Sequence, residues 1–362
     1  MKKISLIIVL LTCFAEIKSF AQIADTIHCP YDCCHPDGQA PLGIMTDHVH
    51  GKNQWTVSYS YMNMMMKGNL MGTQKVDDSE ILKDYAMVPD KMTMQMHILM
   101  LMYGISDKLT VMGMVNYISN SMSMNMTTDA MTMMMNMPGM DMTSITLMNE
   151  SMKSKSSGIG DASIYGLYKL MDKNRQRFIV SAGLGIPTGS IKESGTTMLG
   201  VNTRLAYPMQ LGSGTFNFLP GITYVGQGCR LSYGGVVNAN IKTNTNSEGY
   251  SWGNQYDASG WIAYKFHHLF STSFRLEGVS SDKISGYDAN IYPLSVNDPN
   301  ANTNNFGGQR VNAYVGLNFY KDKCTFKGLR FLLEYGIPVY QNLYGPQMSL
   351  QGSFLAGCQY SF

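Results

Sequence analysis

Gly352-Ser353-Phe354-Leu355-Ala356-Gly357-Cys358-Gln359-Tyr360-Ser361-Phe362 is the last stretch of the sequence, and it alternates. Successive side chains of a strand point to opposite faces, so a period of two sorts this stretch into two sets. Phe354, Ala356, Cys358, Tyr360 and Phe362 share one face; Ser353, Leu355, Gly357, Gln359 and Ser361 share the other. The first face is apolar and the second mostly polar. A strand that stops on Phe, with Tyr two residues before it, predicts the closing strand of a transmembrane antiparallel β-barrel. A soluble all-β protein that ends in a strand is the competing reading.

The other end favours export. Lys2-Lys3 precedes the short apolar run Ile4 to Thr12, and Ser19-Phe20-Ala21 supplies small residues at a cleavage spacing. This reads as a signal peptide over 1–21, cleaved near Ala21. Lipidation at Cys13 is the alternative, with Thr12 an atypical residue before it. No other run reaches the roughly 18 apolar residues of a membrane helix. A membrane location therefore requires a closed barrel in the outer membrane, because lipid leaves an open strand edge without partners. The terminal aromatic pattern would then be read by the barrel-assembly machinery.

Composition agrees. The chain has 36 Gly, 22 Tyr and 14 Phe with only 14 % charged residues. Aromatic side chains suit the girdles at the two lipid interfaces. The formal net charge of +2 offers no basic stripe for nucleic acid.

Alternating segments recur. In Trp55 to Met62 the odd positions are large and apolar; Leu109 to Tyr117, Phe178 to Ile186 and Val311 to Phe319 repeat the pattern. Short polar turns near 104–108, 172–177, 226–230, 266–269 and 321–327 alternate with longer connections. Short turns on one side and long loops on the other fit an outer-membrane barrel. The count is an all-β, up-and-down barrel of about twelve strands, with ten to fourteen the permitted range. It would run as a monomer over residues 53–362, preceded by a periplasmic Cys/His segment over 22–52 and interrupted by a Met-rich loop over 119–157.

Methionine is concentrated: 26 of the 31 lie between Met45 and Met152. If Trp55, Val57, Tyr59 and Tyr61 face lipid, then Met62, Met64 and Met66 face the lumen, and similar alternation sends Met112 and Met114 inward. Between Met92 and Met102, Thr93, Gln95 and His97 read as the lumen face, which turns those methionines outward. Thioethers are soft ligands for Cu(I) or Ag(I), which makes Met131, Met133, Met135, Met137, Met140 and Met142 candidate metal ligands. The alternative is that these flexible side chains serve as filler.

Cys29, Cys33, Cys34 and His35, with His48 and His50 shortly after, form a second candidate set. The C-x3-C-C-H spacing matches no standard zinc site. In an oxidising compartment a Cys29–Cys33 or Cys29–Cys34 disulfide competes with it. No cofactor is required by either reading. No catalytic motif is present, so the chain reads as a non-enzyme, with Asp161, Gln210 and Glu334 as candidate polar lumen residues.

Several phrases together resemble one family: Ala40 to His50, the Met-rich second and third strands, Ser157 to Asp161, Tyr207 to Thr215 and Gly336 to Gln341. They resemble the MetA-pathway of phenol degradation family of outer-membrane transporter-like proteins, over nearly all of the mature chain. The resemblance implies a barrel channel for a small hydrophobic or aromatic solute, with no defined substrate and no catalytic residue. The alternative expectation is a copper- or silver-handling protein built on the Met-rich and Cys/His segments.

Overall fold

A computed structural model describes residues 38–127, 151–321 and 328–362. The expected signal peptide, Cys29, Cys33, Cys34, His35 and Met131 to Met142 lie outside the described residues. The wall is built from β1 (Trp55–Gly72), β3 (Met87–Ser106), β4 (Leu109–Met126), β5 (Ser151–Ile159), β6 (Ala162–Lys173) and β7 (Gln176–Ile186). It continues through β10 (Asn217–Gln227), β11 (Leu231–Lys242), β13 (Gln255–His267), β14 (Phe270–Ser281), β16 (Gly308–Tyr320) and β17 (Leu329–Ser361). The short strands β2 (Gln74–Val76), β8 (Ser194–Thr197), β9 (Gly200–Arg204), β12 (Tyr250–Ser251) and β15 (Ser285–Gly286) belong to the connections, as does the one-turn helix α1 (Asp78–Ile81).

Each wall strand pairs antiparallel with its neighbours, and β17 returns to β1, with Thr56 opposite Ser361 and Tyr59 opposite Cys358. Trp55 and Phe362 exchange both backbone hydrogen bonds at 2.9 Å. A ring of antiparallel strands closes only with an even number of passes. The 33-residue β17 supplies the parity: residues 330–343 pair with β16 and residues 343–361 with β1, so this strand crosses the wall twice. Conversely, β5 and β6 share one crossing, since both pair with β4 on either side of a break at Gly160-Asp161. Among the described residues the result is twelve passes, as the count from the sequence predicts.

The faces are inverted relative to a soluble protein. Val57, Leu99, Leu101, Val115, Ile164, Leu184, Ile222, Val315 and Leu333 are exposed outward, whereas Thr56, Ser58, Thr110, Thr223, Ser259 and Ser271 are buried inside. Phe354, Tyr360 and Phe362 point outward and Ser353 and Gln359 inward, as the terminal stretch implies. An apolar outer band with a polar interior is stable only against lipid.

Two expectations need correction. Between Met92 and Met102 the faces are reversed: Met92, Met100 and Met102 are buried inside, and His97 is exposed among Tyr59, Tyr61 and Tyr117. His97 sits opposite Tyr61 and Tyr117 in the ladder and bonds the Tyr59 hydroxyl at 2.7 Å, so it joins an outer aromatic belt. The Met-rich loop is also shorter than 119–157. The alternation Ser121-Met122-Ser123-Met124 carries β4 on to Met126, with Met122 and Met124 buried inward.

Replacing Leu101 with Arg should destabilise the barrel by about 2–4 kcal/mol, whereas Ser271→Ala should shift stability by under about 1 kcal/mol. Urea unfolding of bilayer-reconstituted protein measures both.

Candidate functional site

The interior is bounded at both ends. Near the short turns, residues 38–51 run inside the barrel, whereas the sequence places the whole of 22–52 in the periplasm. Polar wall groups explain the difference, because they give the segment's backbone the partners it needs. The Gly43 N–H donates to Glu334 Oε2 at 2.7 Å and the His50 N–H to Thr110 Oγ1 at 2.9 Å. Thr46 and Thr223 hydroxyls lie 3.1 Å apart, and Ile44 packs with Val225, Val236 and Trp261. Gly43 is required by space: a Cβ there would sit 2.3 Å from Arg275 Nη2. Gly104 is required in the same way, with the Gly51 carbonyl oxygen 2.0 Å from the position of a Cβ.

The wall group that receives Gly43 is a charged cluster. Arg275 donates to Glu334 at 3.0 and 3.3 Å and to Glu277 at 3.0 Å, and its guanidinium stacks 3.8 Å from the Tyr314 ring centre. Asn312 and Tyr314 donate to the other Glu277 oxygen. A buried ion pair gains nothing reliable in net stability, but removing one partner costs about 3–5 kcal/mol. The cluster is therefore a fixed feature to which the segment docks. Arg275 and Glu277 were readable: in Phe274-Arg275-Leu276-Glu277 the apolar residues take the lipid face and leave the charges inside.

At the base of the segment, Asp47 accepts from the Ala40 N–H at 2.6 Å and pairs with His48 Nδ1 at 2.7 Å. Burial opposes ionisation of Asp47, but His48 and the backbone N–H groups outweigh it and hold the carboxyl below its ordinary range. The His50 ring lies edge-on to His48 at 4.8 Å, and its Nε2 is buried without a partner. Burial, reinforced by the neighbouring His48, pushes His50 down to about 3. Among the described residues no three His, Cys, Asp or Glu side chains converge on a metal position.

The opposite mouth carries a cap. Connections 187–216, 243–254 and 282–307 fold over it and bury Met198, Leu205, Tyr207, Met209, Tyr250, Ile291 and Leu294 against the inward Met87, Met92, Met122, Met124 and Met152. The described methionines of this region thus fill an irregular apolar core, a role suited to an unbranched, flexible side chain. Polar bonds frame it: Arg204 contacts Asp288 at 3.2 Å and Glu248 at 3.4 Å, and Tyr207 Oη accepts from the Asp288 N–H at 3.0 Å. Burial pushes the Asp298 carboxyl in this cap up to about 7.

Of the expected lumen residues, Glu334 faces the segment. Asp161 accepts from Gly189 and Ser213 N–H groups at 3.1 and 2.8 Å, and Gln210 bonds the Glu193 and Leu205 backbone, so both hold the cap connection 187–216. His48 and His50 are brought together at the segment's base.

Between segment and cap lie two cavities of about 290 and 350 Å³, which share Asn240, Gln255 and Val279 in their linings. The wall beside them is interrupted. Pairing of β10 with β11 skips from Phe218–Ile241 to Gly221–Asn238, where Pro220 has no N–H to give the ladder. An outward groove of about 690 Å³ lies over this gap, and Pro220, Asn238, Ala239 and Asp257 line both it and the inner cavity.

No protein-family model matches the chain, and no curated protein is significantly similar to it in sequence. Among solved structures, the COG4313 outer membrane channel from Pseudomonas putida F1 is similar at 14 % identity and TM-score 0.55, covering 88 % of this chain and 98 % of that one. A Pseudomonas aeruginosa FadL homologue matches at 12 % identity and TM-score 0.40, over 94 % and 96 % of the two chains. A KdgM porin matches at 13 % identity and TM-score 0.38, over 84 % and 99 %. The first of these shows a shared fold, a closed antiparallel β-barrel of the outer-membrane type.

Acid should loosen the segment. Undocked His50 titrates near 6.5 and docked His50 near 3, so the docked form is favoured above pH 6.5. It loses up to about tenfold in population per pH unit between these values. Amide-exchange protection over residues 38–51, taken relative to the intrinsic rate at each pH, should fall between pH 7 and pH 5, and His50→Asn should remove that fall.

Proposed function

We propose that the protein is an outer-membrane channel for a small solute with apolar character, shut at rest by its own N-terminal segment. The observation that carries this reading is the pair of adjoining cavities held between the docked segment and the methionine-aromatic cap. Their volumes are at the lower end of the range that holds small ligands. Passage requires the segment to leave the Arg275–Glu334 cluster, or the solute to exit sideways at the Pro220 interruption, where the outer face is apolar. The resemblance to the MetA-pathway family supports the same direction, toward hydrophobic or aromatic compounds.

Deleting residues 38–50 should increase the rate at which an uncharged pentose enters proteoliposomes by about tenfold or more, a shift of about 1.4 kcal/mol in the barrier. Equal, near-zero rates in both proteins would overturn the channel reading.

A second reading, copper or silver handling, draws on the clustering of Met92, Met122, Met124 and Met152 at one mouth. It expects Ag(I) to raise the melting temperature, as any ligand of the folded state does, and a Met122→Leu/Met124→Leu variant to lose the effect. An unchanged melting temperature would leave these thioethers as packing alone.

A further inference from the structure

The cavity beneath the cap has an unusual charge economy. Its lining joins Met66, Met92, Trp252, Phe306 and Met348 with two cations, Lys242 and Arg310, and one anion, Asp282. Arg310 lies on the inward face of β16, in step with the buried Asn312 and Tyr314. Its guanidinium makes no hydrogen bond or ion pair to any described residue, whereas Arg275 and Arg204 are each held by two acids. Glu277 attracts it electrostatically but makes no hydrogen bond to it; the Glu277 oxygens receive Arg275, Asn312 and Tyr314 instead. The Lys242 ammonium donates to Asn240 Oδ1 at 3.1 Å and makes no ion pair within bonding distance among the described residues, with Asp161 the charge that attracts it.

A guanidinium at a largely apolar cavity with no acid hydrogen-bonded to it leaves buried donors unmatched, a need that an anion from outside would meet. Its planar fork matches a carboxylate. Asp282 in the same lining disfavours a second negative charge. We propose that this cavity binds a small monoanionic amphiphile, an aromatic or acyl carboxylate. Its carboxylate would lie on Arg310 with Lys242, and its apolar part against the methionines, Trp252 and Phe306. The proposal rests on the reading of the lumen as a solute path and names the class of solute.

The test uses the full chain in detergent, with fluorescence of Trp252 as the reporter and Trp252→Phe to assign the signal. The probes are 3-phenylpropionate, 3-phenylpropanol and 3-phenylpropylammonium at pH 7.5. A charge-assisted hydrogen bond of about 1.5–3 kcal/mol corresponds to about 10–100-fold in affinity. The carboxylate should bind at least tenfold more tightly than the alcohol, and the ammonium more weakly than both. Arg310→Gln should bring the carboxylate down to the alcohol's affinity, with Arg310→Lys retaining part of the preference. Equal affinity for carboxylate and alcohol, or an unaltered preference in Arg310→Gln, would overturn the proposal. Pentose entry into proteoliposomes separates the two readings: intact entry with no anion preference sinks the ligand class alone, and absent entry with anion preference sinks the channel alone.

Discussion

Everything in this molecule follows from one constraint: hydrocarbon offers no partner to a backbone N–H or C=O. Each unsatisfied group costs several kcal/mol there, so the first and last strands must pair, as Trp55 and Phe362 do at both of their backbone groups. Closure fixes an even number of passes, and the 33-residue β17 folds back within the wall to provide it. Once the ring is closed, alternation allots every second residue to an interior that lipid cannot fill.

That interior is occupied in two chemically different ways. Beside the docked segment the wall carries charge, and the Arg275–Glu334–Glu277 cluster gives the Gly43 N–H a fixed carboxylate to meet. At the long-loop mouth it is apolar, and thioethers and aromatic rings from strands and connections pack into a common core. The segment is held both by polar contacts and by Leu42 and Ile44 packed on the wall, whereas the cap is held mainly by its large buried apolar core.

Alternation made most of the wall legible: Trp55 to Met62 and the terminal stretch fall as their period dictates, and the turns mark the strand count. Period alone sorts residues into two faces without saying which is inside. On β3 the moderately polar Thr93, Gln95 and His97 competed with methionines of middling hydrophobicity, and only the cross-strand neighbours Tyr61 and Tyr117 settle His97 outside. The same ambiguity hid Met122 and Met124 within an expected loop. The Arg275–Glu334 pair spans 59 positions, and the Gly43–Glu334 bond 291, which no local pattern reports. Asp161 and Gln210 were readable as polar residues on or beside the wall, but their backbone-holding contacts depend on connections that carry no period.

The central claim is that the docked N-terminal segment shuts the lumen. Thr46 and Thr223 face each other with hydroxyls 3.1 Å apart, so a Thr46→Cys/Thr223→Cys pair can tether segment to wall. Solute entry into proteoliposomes should stop in the oxidised pair and return on reduction, with both single-cysteine variants indifferent to redox state. Entry that continues unchanged with the tether closed would contradict the account.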